Sequence, residues 1–197
     1  MMDTFLTLEN LSIANEYMTI RQYQESNFAQ LEQIFDTNNL VWFSHKYNKL
    51  SDFLQEKLIA YKNKTSVTYV FIDNGTNKIV GTSSLYDINL EHKRLEIGAT
   101  WFGSMYKGKY YNSMSKMLLL QFLFEDLEFN LVQFKTDKLN YTSRIAMEKN
   151  GFHFDGIFRN HIITHNGRVR DSMYFSVIKS EWNKTKQHLQ ERIKQKL

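Results

Sequence analysis

The stretch Met105-Tyr-Lys-Gly-Lys-Tyr-Tyr-Asn112 has the residue types of an anion site. It follows an alternating strand pattern and opens a strongly apolar helix pattern. Its backbone N–H groups therefore fall at a helix start, where they lack intrahelical partners and the macrodipole favours negative charge. Gly108 lets the backbone come close to a ligand, while Lys107 and Lys109 add positive charge. A phosphate or pyrophosphate suits this arrangement; an ordinary strand-to-helix turn uses the same residues, and the loop alone leaves both open. The spacing Gly103-Ser-Met-Tyr-Lys-Gly108-Lys109-Tyr110 also approaches the phosphate loop of nucleotide hydrolases. Its last position needs a Ser or Thr hydroxyl for Mg²⁺, which Tyr110 cannot supply, so that chemistry is rejected.

Other chemistries are excluded more simply. His45, His92, His153, His161, His165 and His188 show no metal-ligand spacing, and no carboxylate pair is set for a metal. His161, on the last hairpin, is a candidate for lining a substrate pocket. The 197 residues contain no Cys, which removes disulfides, thiol nucleophiles and Cys-based zinc sites. Mean hydropathy is -0.48, and no apolar run reaches the roughly 20 residues of a membrane span. MMDTFLTLEN has an early acid and no apolar h-region, so no secretory signal is expected and a cytoplasmic protein is the default. The net charge of +4 would suit a nucleic-acid partner. Lys179 to Leu197, however, carry six bases and two acids, so the whole surplus sits in the tail. A neutral body is weak ground for nucleic-acid binding.

The elements that must position the loop read as alternating strands and helices without a linker or repeat, which predicts a single domain over residues 1–197. Tyr17–Gln22 reads as a strand, Asn27–Asp36 and Asp52–Tyr61 as helices, and Ser66–Asp73 with Lys78–Leu85 as a hairpin across Asn74-Gly75. Arg94–Phe102 alternates, with Leu95, Ile97, Ala99 and Trp101 expected on one face and Glu96, Gly98, Thr100 and Phe102 on the other. The helix Asn112–Leu127 is apolar nearly all round and should be buried between the sheet and another layer. Leu131–Thr136 is a strand, Thr142–Lys149 a short helix, and Phe152–Ile163 with Val169–Ile178 a last hairpin. A basic helix covers the tail, over 180–196, packing Trp182, Leu189 and Ile193 inward and showing its lysines to solvent. This order predicts an α/β fold, a mixed sheet with helices on both faces.

From Lys135 onward the pattern becomes specific. Asn140, Ser143, Gly151 and Phe152 are followed by Asp155-Gly156-Ile-Phe-Arg159, Gly167-Arg168-Val-Arg170-Asp171 and Glu181-Trp182. The run from Leu95 to Trp182 resembles the GCN5-related N-acetyltransferase (GNAT) superfamily, in its bacterial RimJ/RimL-like branch. The resemblance implies a mostly antiparallel twisted sheet of about seven strands and acetyl-CoA as acyl donor. It implies pyrophosphate on the amides of Lys107, Gly108, Lys109, Tyr110, Tyr111 and Asn112, with the pantetheine arm along the splayed strand end at Thr100, Trp101 and Phe102. Met105 and Tyr110 depart from the family's Q/R-x-x-G-x-G/A loop, so the rings of Tyr110 and Tyr111 must turn away from the phosphates.

Acetyl transfer to an amine needs a positioned neutral amine, a base, oxyanion stabilisation and an acid for the leaving thiolate. Many members place a Tyr acid seven residues after the Asn; here that residue is Met147. The resemblance then leaves Ser143 as the hydroxyl at the thiol, with a helix-start hydroxyl as its ordinary role. Asn140 would bridge the cofactor arm and cap its own helix. Glu96 is the candidate base, a salt-bridged strand Glu being its ordinary role. A backbone N–H near Trp101 or Phe102 would meet the oxyanion. The Arg170–Asp171 pair is expected to be structural, and the aromatics Trp42, Phe43, Tyr47, Tyr86 and Trp101 to form core, acceptor pocket or dimer face. The acceptor is a primary amine, either a protein N-terminus or a small amine, and no nucleic acid, membrane or metal is expected. A homodimer is compatible with the resemblance. Met105, Tyr110 and Met147 also suit a second reading, a catalytically silent acyl-CoA-binding module.

Overall fold

A computed structural model of the chain describes residues 4–197. Its first half runs α1 (Thr4–Glu9), β1 (Ser12–Ala14), β2 (Met18–Gln22), α2 (Phe28–Ile34), α3 (Leu50–Lys62), β3 (Val67–Asp73), β4 (Lys78–Asn89) and β5 (Arg94–Phe102). The second half follows as α4 (Tyr111–Gln121), β6 (Leu131–Asp137), α5 (Tyr141–Lys149), β7 (His153–Ile163), β8 (Val169–Ile178) and α6 (Trp182–Lys194). The strands form one eight-stranded sheet ordered β1-β2-β3-β4-β5-β6-β8-β7. Every neighbouring pair is antiparallel except β5 and β6, which α4 joins as a parallel crossover. The expected α/β sheet is therefore present, with eight strands rather than seven. The added one, β1, is three residues long and too short to show a period. Among the described residues no helix is long and apolar enough to cross a membrane.

The two faces of the sheet carry different helices. Leu8 of α1, Met114 and Leu119 of α4, and Trp182, Leu189 and Ile193 of α6 bury against Ile20, Phe71, Leu95, Ile97 and Phe175. On the other face Leu31 of α2 and Leu50, Phe53 and Leu54 of α3 pack against Val70, Ile79 and Trp101. Helix α4 lies between the sheet and α6, which explains its apolar circumference. It ends in a π turn over Phe122–Asp126, where Leu127 N–H donates to Phe122 O at 3.1 Å, instead of running on as an α-helix to Leu127. Phe152 stacks on Phe134 of β6 at 4.3 Å between ring centroids. Burying a ring of this size is worth roughly 1.5–3 kcal/mol.

The expected alternation of β5 fails in its second half. Ser84 pairs with Gly98 and Thr82 with Trp101, so β5 advances three residues while β4 advances two. The extra residue forms a bulge at Ala99, whose φ is +47°. Beyond it the faces exchange. Trp101 joins the core under α2 and α3, edge-on to Phe35, while Phe102 joins Leu95 and Ile97 and stacks on Phe71. Gly81 makes this crossing possible, because a Cβ there would lie 2.3 Å from Trp101 O.

Candidate functional site

The parallel pair β5–β6 is paired over three rungs only, Arg94 with Leu131, Leu95 with Val132 and Glu96 with Gln133. Beyond them Ile97–Phe102 stays with β4 and Phe134–Asp137 stays with β8, so the two strands part. Their facing edges carry backbone N–H and C=O groups without a strand partner between them, which is what an extended peptide-like ligand requires. The bulge at Ala99 supplies the divergence, since a bulged strand bends and twists more strongly. Trp101 keeps only its backbone near this edge, because its ring is in the core.

The start of α4 lies downstream of the same strand end. Gly108 has φ +78°, which an L side chain would strain, and a Cβ added there meets nothing within 4 Å. Tyr110 and Tyr111 turn their rings away from the loop: both hydroxyls donate to Asp73 Oδ2, at 3.2 and 2.8 Å. The tail shows Lys184 and Lys194 to solvent as expected, but two of its other bases turn inward. Lys196 Nζ donates to Gly108 O at 2.7 Å and to Lys109 O at 3.4 Å, and Arg192 Nε donates to Ser113 Oγ at 3.2 Å. Lys107 and Lys109 are exposed. Two of the tail's six bases thus reach the helix start, and burial followed by Arg192 and Lys149 lowers the pKa of Lys196.

Glu96 sits on the opposite face from Leu95 and Ile97, buried, with its Oε2 at 3.0 Å from Lys135 Nζ. Burial pushes its carboxyl above the ordinary value, against the opposing pull of Lys135. Burial likewise works against the Lys135 ammonium, but the Glu96 carboxylate outweighs it and raises that pKa. Lys135 lies over the ring of Tyr174 at 5.8 Å, and His161 Nδ1 is 3.0 Å from Ser172 Oγ beside the same ring. Burial, Lys135 and Arg170 lower the His161 pKa, which keeps this ring neutral more readily. Arg170 ties the cluster to the first half through Trp42 O at 3.4 Å and holds Ser172 at 3.1 Å. Arg170 and Asp171 do not pair with each other; Asp171 accepts from Asn160 N–H at 2.9 Å. Phe43 and Tyr47 pack edge-on against Phe53, and Tyr47 donates to Glu56 Oε2 at 2.5 Å.

Asn140 caps α5, its Oδ1 accepting from Ser143 N–H at 3.1 Å. Ser143 is thus a first-turn residue, and Met147 packs against the core on the α4 face. Lys116 of α4 has no place in the sequence reading, yet it is buried where β5 and β6 diverge, donating to Thr100 Oγ1 at 2.8 Å. Its signal was a lone charge inside an otherwise uncharged stretch from Tyr111 to Leu120. Lys135 and Asp73 were equally unmarked, because their partners lie on other strands.

Residues 18–153 match the family model described as Acetyltransferase (GNAT) domain. The chain belongs to this GNAT acetyltransferase family, and its likenesses stand with the RimJ/RimL-like branch. A Bacillus subtilis (strain 168) protein named "Putative ribosomal N-acetyltransferase YdaF" is 27% identical over 177 residues, 85% of this chain and 94% of that one. A crystal structure of a GCN5-related N-acetyltransferase from Brucella melitensis has a TM-score of 0.84 at 25% identity, covering 94% of this chain and 86% of that one. The spermidine N-acetyltransferase of Vibrio cholerae, solved in complex with CoA and spermine, has a TM-score of 0.71 at 17% identity. It covers 86% of this chain and 99% of its own, a likeness of fold alone.

Proposed function

We propose that the chain, as one unit over residues 1–197, transfers acetyl from acetyl-CoA directly to a primary amine. The observation that carries this is the parting of β5 and β6 immediately after the Glu96–Gln133 rung, beside the start of α4. The wedge and the open space over Gly108 fit an extended donor with a pyrophosphate. Backbone amides from Lys107 to Asn112 hold the phosphates, and Lys107 and Lys109 add charge beside them. The free edge at Thr100, Trp101 and Phe102 takes the pantetheine arm, and an N–H there faces the developing oxyanion. Asn140 and Ser143 contact the thiol end.

The acceptor amine enters on the face of Glu96, which takes its proton directly or through a water. An α-ammonium loses its proton at about pH 8, so a modest base suffices. The acceptor is a protein N-terminus or a small amine; the ribosomal name of one relative and the spermine-bound neighbour support these two classes respectively. Without Cys the acetyl group passes to the amine with no acyl-cysteine stage. Titration with CoA, then release of free thiol across a panel of amines, tests this. CoA binding with thiol release for at least one amine supports it. Binding without release for any amine favours a silent acyl-CoA-binding module, and no binding contradicts both.

A further inference from the structure

Lys116 is 5% exposed, and its ammonium stands 2.8 Å from Thr100 Oγ1 and 5.5 Å from the centroid of Phe134. Thr100 lies on β5 beyond the last paired rung, and Phe134 is the first residue of β6 beyond it. The ammonium therefore bridges the two strands at the point where they part. Thr100 Oγ1 is 2.7 Å from Ser83 Oγ, which donates to Gly98 O at 3.1 Å. This chain of bonds, running from Lys116 through both hydroxyls to a carbonyl, fixes the ammonium in position. Among the described residues Thr100 is its one hydrogen-bond partner, leaving two N–H donors unused. A buried ammonium without a carboxylate is costly, and proteins keep such groups where they have work to do. Among the described residues no charged group on a neighbouring element offsets the desolvation; burial lowers its pKa to about 7.

The reaction proposed above leaves a thiolate in this wedge, and the sequence offers no strong acid for it. Met147 has no proton to give, and an alcohol such as Ser143 is a far weaker acid than a thiol, whose pKa is about 8.5. We propose that Lys116 is the proton donor to the CoA thiolate as it leaves. The inference rests on that reading of acetyl transfer. As the C–N bond forms and the C–S bond breaks, the electron pair of that bond stays on sulfur. A proton passes from Lys116 Nζ to sulfur, giving the CoA thiol and a neutral Lys116. The amine's proton goes to Glu96, and exchange with solvent returns Glu96 to carboxylate and Lys116 to ammonium.

Two measurements test this. The pH profile of wild-type kcat should fall on its alkaline side as Lys116 loses its proton, because the acid must be charged to act. Lys116→Met should lack this limb, and its turnover should fall roughly 10²-fold, the usual scale for a lost general acid, with KM for acetyl-CoA little changed. Lys116→Arg, which keeps the charge but not a releasable proton, should lose the rate and the limb alike. A wild-type kcat that does not fall at alkaline pH, turnover of Lys116→Met within threefold of wild type, or acetyl found on Lys116 itself would overturn the assignment. The first measurement needs no variant to fold. Wild type that binds and transfers acetyl while Lys116→Met is unaffected contradicts this inference alone; wild type that binds no CoA contradicts the function as well.

Discussion

Glu96 and Lys135 meet at 3.0 Å on the face of the sheet opposite Leu95 and Ile97, from the last paired rung of β5 and the second unpaired residue of β6. The pair sits at the apex of the wedge. A carboxylate that takes a proton there must be ionised, and burial raises its pKa above the ordinary carboxylate value. Activity should therefore fall as pH is lowered through that raised value, at a pH above the usual carboxylate range. Glu96→Gln should lower kcat by roughly 10²-fold and abolish this acid limb. A pH–rate profile for kcat at saturating acetyl-CoA measures both, and an unchanged limb in Glu96→Gln would remove Glu96 from the chemistry.

Asp73 collects the hydroxyls of Tyr110 and Tyr111 and also the N–H and hydroxyl of Thr76, both at 2.8 Å. Burial pushes its carboxyl up, but these donated bonds outweigh burial and hold it below the ordinary value. A lowered folded-state pKa gives stability that is complete above the unfolded value of about 3.9 and is lost as pH falls through the folded one. Asp73→Ala should cost roughly 1–3 kcal/mol, since it leaves two tyrosine hydroxyls without their acceptor. Thermal unfolding at pH 7 and at pH 3 should show the difference between wild type and variant narrowing at the lower pH.

Lys196 reaches back to the carbonyls of Gly108 and Lys109 from the end of α6. Lys196→Met should raise KM for acetyl-CoA by roughly three- to tenfold, the scale of one charge-assisted contact, and leave kcat unchanged. The effect should shrink with added salt, as expected for exposed charges. A kcat effect of the same size would place Lys196 elsewhere in the mechanism.

Ser143 lies in the first turn of α5 with its N–H on Asn140 Oδ1. If its hydroxyl contacts sulfur, Ser143→Ala should lower kcat about five- to tenfold, the worth of one hydrogen bond of roughly 1 kcal/mol. That is less than the loss in Lys116→Met. A rate within threefold of wild type would remove the hydroxyl from the reaction.

Most of the sheet was legible in the chain because its signals are local. The alternation of Arg94–Phe102, the Asn74-Gly75 turn and the apolar run of α4 each specify an element within about ten residues. The exchange of Trp101 and Phe102 between faces was not, because period-two reasoning has no term for a bulge; its cause is a pairing shift with β4 and a positive φ at Ala99. The loop at Lys107–Asn112 carried its own Gly and lysines. Lys116, Lys135 and Asp73 become meaningful only through Thr100, Glu96 and the two tyrosines, which lie between 16 and 39 residues away or on other strands. The inward turn of Lys196 is illegible for the same reason: only the packing of α6 on α4 brings it to Gly108.

The central claim is direct acetyl transfer from acetyl-CoA to a primary amine, and mass balance tests it most directly. The purified chain is incubated with acetyl-CoA and an amine panel that includes N-terminal peptides and polyamines. Free thiol, acetylated amine and the intact mass of the protein are followed together. Direct transfer predicts one thiol released for each amine acetylated and no acetyl on the protein. Thiol release that runs through a stable acetyl-protein, or an acceptor panel left unmodified while CoA binds, would contradict it.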